Sequence, residues 1–113
     1  MQEARTLRLT AIGRRTGLPR TVKLGFLYHN SKVYLSGEDT RHWCRNILKN
    51  PDVVLDVGGR LVEGRARLME RSALRSEVIR LYLVRYRSGL LSQLFDQWLE
   101  TRWIVEVAPK EAP

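Results

Sequence analysis

Two alternating runs near the start of the chain, residues 5–12 and 20–28, constrain the fold most. In the first, Leu7, Leu9 and Ala11 fall on one side and Arg8 and Thr10 on the other; in the second, Val22, Leu24, Phe26 and Tyr28 share a phase. A period of two is that of a half-buried strand. Between the runs lie Gly13, Gly17 and Pro19, residue types that set up turns. The pair is therefore predicted to form a β-hairpin. Its tip carries Arg14, Arg15 and Arg20, with Lys23 just beyond. The planar fork of arginine grips phosphate or carboxylate at two points, and glycines let an anion approach the backbone amides. The tip reads as an anion site; a solvated basic hairpin is the alternative that charge alone leaves open.

The remaining chain supplies more hairpins than crossovers. His29-Asn30-Ser31-Lys32 is a turn signal, and a third strand starts at Val33. Gly37-Glu38-Asp39-Thr40 breaks the pattern, with Asp39 or Thr40 placed to cap a short helix over roughly 40–49 that Asn50-Pro51 stops. A strand over 52–57 turns at Gly58-Gly59 into a partner over 60–69, in which Gly64 marks a bulge or a close approach. Ser72 caps an amphipathic helix with Leu74, Val78, Leu81 and Tyr82 on its stripe; Arg85 also falls there, either with its stem packed and its head reaching water, the favoured reading, or pointing at a bound anion. Ser88-Gly89 ends or bends it, Leu91, Leu94, Phe95, Trp98 and Leu99 form a second periodic run, and 103–107 is the last strand before a flexible tail at 109–113. Six strands and three helices in this order predict an α+β fold: one domain over 1–113, an antiparallel six-stranded barrel with peripheral helices.

The net charge of +8 asks for an anionic partner, whether nucleic acid, an acidic membrane surface or a polyanionic small molecule. Sixteen arginines against four lysines favour defined phosphate or carboxylate contacts over diffuse attraction. No window approaches a membrane span, and the first residues lack the apolar core of a signal peptide, so a cytoplasmic protein is expected. One cysteine allows no intramolecular disulfide, and two histidines beside it leave no structural metal site. Patterns for zinc hydrolases, serine hydrolases and P-loop enzymes are missing. Cys44 reads as a packed thiol and His29 and His42 as surface or satisfied histidines, so no catalytic residue is assigned. Such poverty in nucleophiles suits a redox protein whose cofactor brings the reactive atom.

Two segments carry a resemblance. Gly13-Arg14-Arg15-Thr16-Gly17-Leu18-Pro19-Arg20 resembles the G-R-[KR]-[ST]-G-x-P-R signature of the deazaflavin-dependent nitroreductase family, within the split-barrel flavin and deazaflavin oxidoreductases. The piece from Trp43 to Pro51, W-C-R-N-I-L-K-N-P, resembles that family's W-[YH]-x-N-L-x-x-N-P, and the ending I-V-E-V-A-P looks like its last strand. The resemblance implies a six-stranded split barrel of the FMN-binding type. It implies coenzyme F420, with FMN as the alternative, held by Gly13, Arg14, Arg15, Thr16, Gly17, Pro19 and Arg20, with Lys23 and Ser36 alongside. Trp43, Asn46 and Tyr86 would shape the substrate pocket. The implied activity is hydride transfer from reduced F420 to a small conjugated electron acceptor of quinone or nitro type, in a homodimer. Two features depart from the family. Many relatives carry S-K-G-G after the third strand, whereas Ser36 is followed here by Gly37, Glu38 and Asp39. The family's tyrosine cluster after the long helix is reduced to Tyr86, with Gly89 and Ser92 beyond. A basic nucleic-acid or polyanion-binding domain, with Tyr34 and Trp103 available for stacking, ranks last, because the basic residues are dispersed and no nucleic-acid motif is present.

Overall fold

The computed structural model describes residues 5–38 and 41–110. The sheet has seven strands rather than six, because the alternating run over 20–28 breaks at Phe26. In chain order the elements are β1 (Thr6–Ile12), β2 (Pro19–Gly25), β3 (Leu27–His29), β4 (Lys32–Gly37), α1 (His42–Lys49), β5 (Asp52–Val57), β6 (Arg60–Leu68), α2 (Ala73–Arg87), a single 3-10 turn (Ser88–Leu90), α3 (Leu91–Thr101) and β7 (Trp103–Pro109). Every pairing is antiparallel, in the order β2-β1-β5-β6-β7-β4-β3. This is the α+β split barrel with peripheral helices.

The break at Phe26 carries the chain from one end of the sheet to the other. β2 pairs with β1 from Ile12↔Pro19 to Thr6↔Gly25, whereas β3 pairs with β4. Two tyrosines of α2 satisfy the backbone where the ladder stops. The Tyr82 hydroxyl donates to the Gly25 carbonyl at 2.8 Å. The Tyr86 hydroxyl accepts from the Phe26 amide at 2.8 Å and shares its hydrogen between the carbonyls of Phe26 and Arg5, each 2.8 Å away. Gly25 makes room for this, since a Cβ there would lie 3.0 Å from Tyr86 Cζ.

The sheet is buried on both faces where β4 and β7 run side by side. Inside the barrel, Leu7, Leu9, Ala11, Val33, Leu35, Val53, Leu55, Val105 and Val107 pack with Trp43, Cys44 and Ile47 of α1. Outside it, Tyr34, Met69 and Ile104 meet Val78, Ile79 and Leu83 of α2, flanked by Leu94, Phe95 and Trp98 of α3. Leu91, Leu94, Phe95, Trp98 and Leu99 of the apolar run pack on this cluster but stay only partly buried. Glu106, also on the outer face, is buried but partnered: Arg67 Nε donates at 2.8 Å, the Tyr34 hydroxyl at 3.0 Å, and Lys32 Nζ lies 3.7 Å away. A buried carboxylate persists only with such partners.

Local expectations met varied outcomes. Ser72 caps α2, its Oγ accepting from the Arg75 amide at 3.1 Å. Gly58 and Gly59 take positive φ of 61° and 89°, as a tight two-residue hairpin requires. Gly64 marks a close approach rather than a bulge: the β5–β6 register is continuous, and a Cβ there would lie 2.6 Å from Val107 Cγ1. Asp39 and Thr40 lie outside the described residues; α1 begins at His42, with Arg41 at the cap position and no side-chain cap. Arg85 turns its guanidinium onto the rings of Phe26 and Tyr86, with centroids 5.2 and 5.1 Å away. Among the described residues no helix is long and apolar enough to cross a membrane.

Candidate functional site

The β1–β2 hairpin and α1 enclose a cleft of about 660 Å³. Its wall follows from strand register. Residues directly opposite in an antiparallel pair share a face. Leu9 pairs with Val22 and Ala11 with Arg20, so an apolar pair gives way to an arginine at the hairpin's end. Trp43, Asn46 and His42 of α1 line the opposite side. Trp43 is at once a core residue, 7% exposed, and a wall of the cleft. Its ring and the Cys44 sulfur pack so tightly on Gly37 that a Cβ there would come within 2.7 and 2.6 Å of them.

The loop at the hairpin tip is held by its own backbone. The Gly13 amide donates to the Leu18 carbonyl at 2.8 Å, and the Gly17 amide to the Gly13 carbonyl at 2.9 Å. The Leu18 amide donates to Thr16 Oγ1 at 3.1 Å. Gly17 takes a φ of +74°, which a residue with a side chain adopts only under strain. The loop is also tied to α1: Asn46 Oδ1 accepts from the Arg14 amide at 3.1 Å and from Arg14 Nη1 at 2.8 Å. Arg14 Nη2 lies 3.4 Å from Nδ1 of His42.

The three loop arginines therefore differ. Arg14 is committed to α1. Arg15 and Arg20 are exposed, line the cleft, and have no hydrogen-bond or ion-pair partner among the described residues. Among the described residues no acid lines the cleft. Glu38, one of the two acids replacing the family's basic loop, is engaged elsewhere, with Arg102 Nη1 at 3.3 Å and Arg41 Nε at 4.0 Å. Asp39 lies outside the described residues. An apolar wall, two unengaged guanidiniums and a described lining free of acids suit a flat ring with an anionic tail, which is the chemistry of a deazaflavin or flavin nucleotide.

Of the residues singled out from the sequence, Gly13, Arg14, Arg15, Thr16, Pro19, Arg20, Trp43 and Asn46 come together around the cleft. Gly17 sits at the loop apex, outside the lining. Lys23 lies farther along β2, opposite Arg8 on the outer face. Ser36 is on the outer face of β4, its Oγ accepting from Arg102 Nε at 2.8 Å. Tyr86 lies at the Phe26 break, its hydroxyl bound to backbone, apart from the cleft. His42, Leu9, Ala11, Thr21 and Val22 line the cleft without having been singled out for it. Alternation already put Leu9 and Ala11 on one side of their run and Val22 on the apolar phase of the next; only the register joins them into one face that leads to the arginines.

Comparison with solved structures places the fold. The chain superposes on the heme storage protein HutZ from Vibrio cholerae with a TM-score of 0.80 at 19% identity, covering 98% of this chain and 85% of that one. General Stress Protein 26 from Bacillus anthracis gives 0.68 at 21% identity, with 96% and 81% covered. An FAD-binding protein from Mesorhizobium loti gives 0.64 at 20% identity, with 95% and 80% covered. At these identities the likeness speaks to the fold alone. A search of curated protein sequences found no match. The family profile for F420H(2)-dependent quinone reductase matches residues 1–88, a span that holds the whole hairpin loop and α1. With most of its length and both cleft-forming segments inside that match, the chain belongs to the F420H(2)-dependent quinone reductase family.

Proposed function

We propose that the cleft binds coenzyme F420 and that the protein, with the cofactor reduced, passes a hydride to a small conjugated acceptor, a quinone before a nitro compound. One observation carries this reading: among the described residues, Arg15 and Arg20, exposed and without protein partners, stand at the end of an apolar wall on which no acid intrudes. Arg15 and Arg20 would hold the phosphate and acidic tail, with the Arg15 and Thr16 amides of the loop close by, those of Gly13, Arg14 and Gly17 being bonded within the protein. Leu9, Ala11 and Val22 would lie along the ring and exclude water from it, while Trp43 borders the space left for the acceptor. When bound, reduced F420 supplies the hydride. Asn46 acts through Arg14 by holding the loop against α1. The membership in a quinone reductase family favours quinones. The same proposal includes a homodimer, for which β2, an end strand of the sheet beside the cleft, offers a hydrogen-bonding edge.

The test is anaerobic mixing of the purified protein with reduced F420 and menadione, a naphthoquinone, following the return of F420 fluorescence. Saturable, protein-dependent oxidation supports the reading. Oxidation no faster than in buffer overturns it.

A further inference from the structure

We infer that His42 donates a hydrogen bond from Nε2 to the acceptor's carbonyl oxygen and stabilises the negative charge that this oxygen gains on reduction; the inference rests on the reductase reading above. His42 opens α1, one residue before Trp43, and is among the residues lining the cleft. Its Nδ1 lies 3.4 Å from Arg14 Nη2. A guanidinium only donates, so Nδ1 is the acceptor of this pair, and the neutral ring carries its hydrogen on Nε2. Arg14 is held in turn by Asn46 Oδ1, at 2.8 Å from Nη1 and 3.1 Å from the Arg14 amide. A relay from Asn46 through Arg14 thus sets both the tautomer and the orientation of the imidazole.

Several other donors of the lining are engaged or have another task. The Thr21 hydroxyl bonds that of Thr10 at 2.8 Å. Thr16 Oγ1 takes the Leu18 amide. Arg15 and Arg20 serve the anionic tail. The imidazole N–H is, with the Trp43 indole and the Asn46 side-chain amide, a neutral donor of the lining beside the apolar wall, where a permanent cation is not needed. Such a donor suits an oxygen that is neutral in the quinone and charged after reduction, because the hydrogen bond strengthens as charge develops.

The step balances as follows. A C–H bond of the reduced cofactor breaks, and the hydride with its electron pair enters the quinone, which becomes a hydroquinone monoanion. A proton from water completes the hydroquinone. His42 keeps its Nε2 hydrogen throughout and is a stabilising donor, the role a neutral imidazole can fill without becoming an anion.

Two measurements test this. Nitrogen-15 NMR of the histidine rings in the purified protein at pH 7.5, with His42 assigned by its loss in His42→Gln, should show the Nε2–H tautomer. Turnover with reduced F420 and menadione should fall about tenfold in kcat in His42→Ala, the worth of one neutral hydrogen bond, with F420 affinity unchanged. His42→Gln, whose side-chain N–H can replace Nε2–H, should recover much of it. An Nδ1–H tautomer, or His42→Ala turning over like the wild type, overturns the inference while the reductase reading stands. A wild type without turnover overturns both.

Discussion

The side-chain carbonyl of Asn46 accepts two hydrogen bonds from Arg14, one from its amide at 3.1 Å and one from its guanidinium at 2.8 Å. The residue that opens the hairpin loop is thereby fixed to the middle of α1. Asn46→Ala removes the acceptor from both donors and leaves the Arg14 amide half-buried without a partner. The expected loss is about 1–3 kcal/mol in urea unfolding. Amide hydrogen exchange at Arg14 should quicken in the same variant, and unchanged exchange would show that the tie does not hold the loop.

Tyr86 holds the other end of the hairpin. Its hydroxyl serves both backbone groups of Phe26, at 2.8 Å each. Tyr86→Phe keeps the ring and removes these bonds, so a loss of about 1–3 kcal/mol is expected. Because Tyr86 is apart from the cleft, F420 affinity in the folded variant should match the wild type. A variant of normal stability with impaired affinity would instead place Tyr86 at the ligand.

These two ties show what was legible in the sequence. Strand positions, the three helices and the basic loop follow from local pattern: alternation over 5–12, the Gly58-Gly59 turn, the stripe from Leu74 to Tyr82. The break at Phe26 did not, because Val22 to Tyr28 alternates without interruption. The cause lies some sixty residues away, in two tyrosines that bond the backbone of Gly25 and Phe26. The same limit applies to the cleft. Arg14, Arg15 and Arg20 look equivalent in sequence, but Asn46 engages the first and leaves the others to the cleft. Ser36 and Lys23 adjoin cleft-forming segments in the chain, yet strand alternation turns both outward. Arg75, at the edge of the α2 stripe, is buried because its guanidinium donates to the carbonyls of Leu99 and Arg102 at the end of α3. Long-range bonds of this kind leave no periodic trace.

Alkaline stability should be limited by Tyr34. The residue is 1% exposed, and its hydroxyl donates to Glu106 at 3.0 Å. Burial first, and then the neighbouring Glu106 carboxylate, push its pKa from 10.0 up to about 12. A phenol raised in the folded state contributes stability that is complete below pH 10 and lost as pH climbs toward 12. The free energy of unfolding should therefore fall over that window, by up to about 3 kcal/mol from this group. Tyr34→Phe should be less stable at pH 8, where Glu106 loses a donor, yet lose less on going to pH 12. Tyr82, whose phenol burial also raises, keeps some slope in the variant. Equal slopes in the two proteins would contradict this assignment.

The central claim is that Arg15 and Arg20 hold an anionic deazaflavin against the wall formed by β1, β2 and α1. Its most direct measurement is a fluorescence titration with F420, beside FMN, at two salt concentrations, on the wild type and on Arg15→Ala/Arg20→Ala. The account predicts micromolar or tighter F420 binding that weakens with salt and falls about a hundredfold in the double variant, as loss of two charge-assisted contacts would cause. FMN binding without F420 binding would keep the cleft and change its occupant. Equal F420 affinity in wild type and double variant, or no binding of either cofactor, would contradict the account.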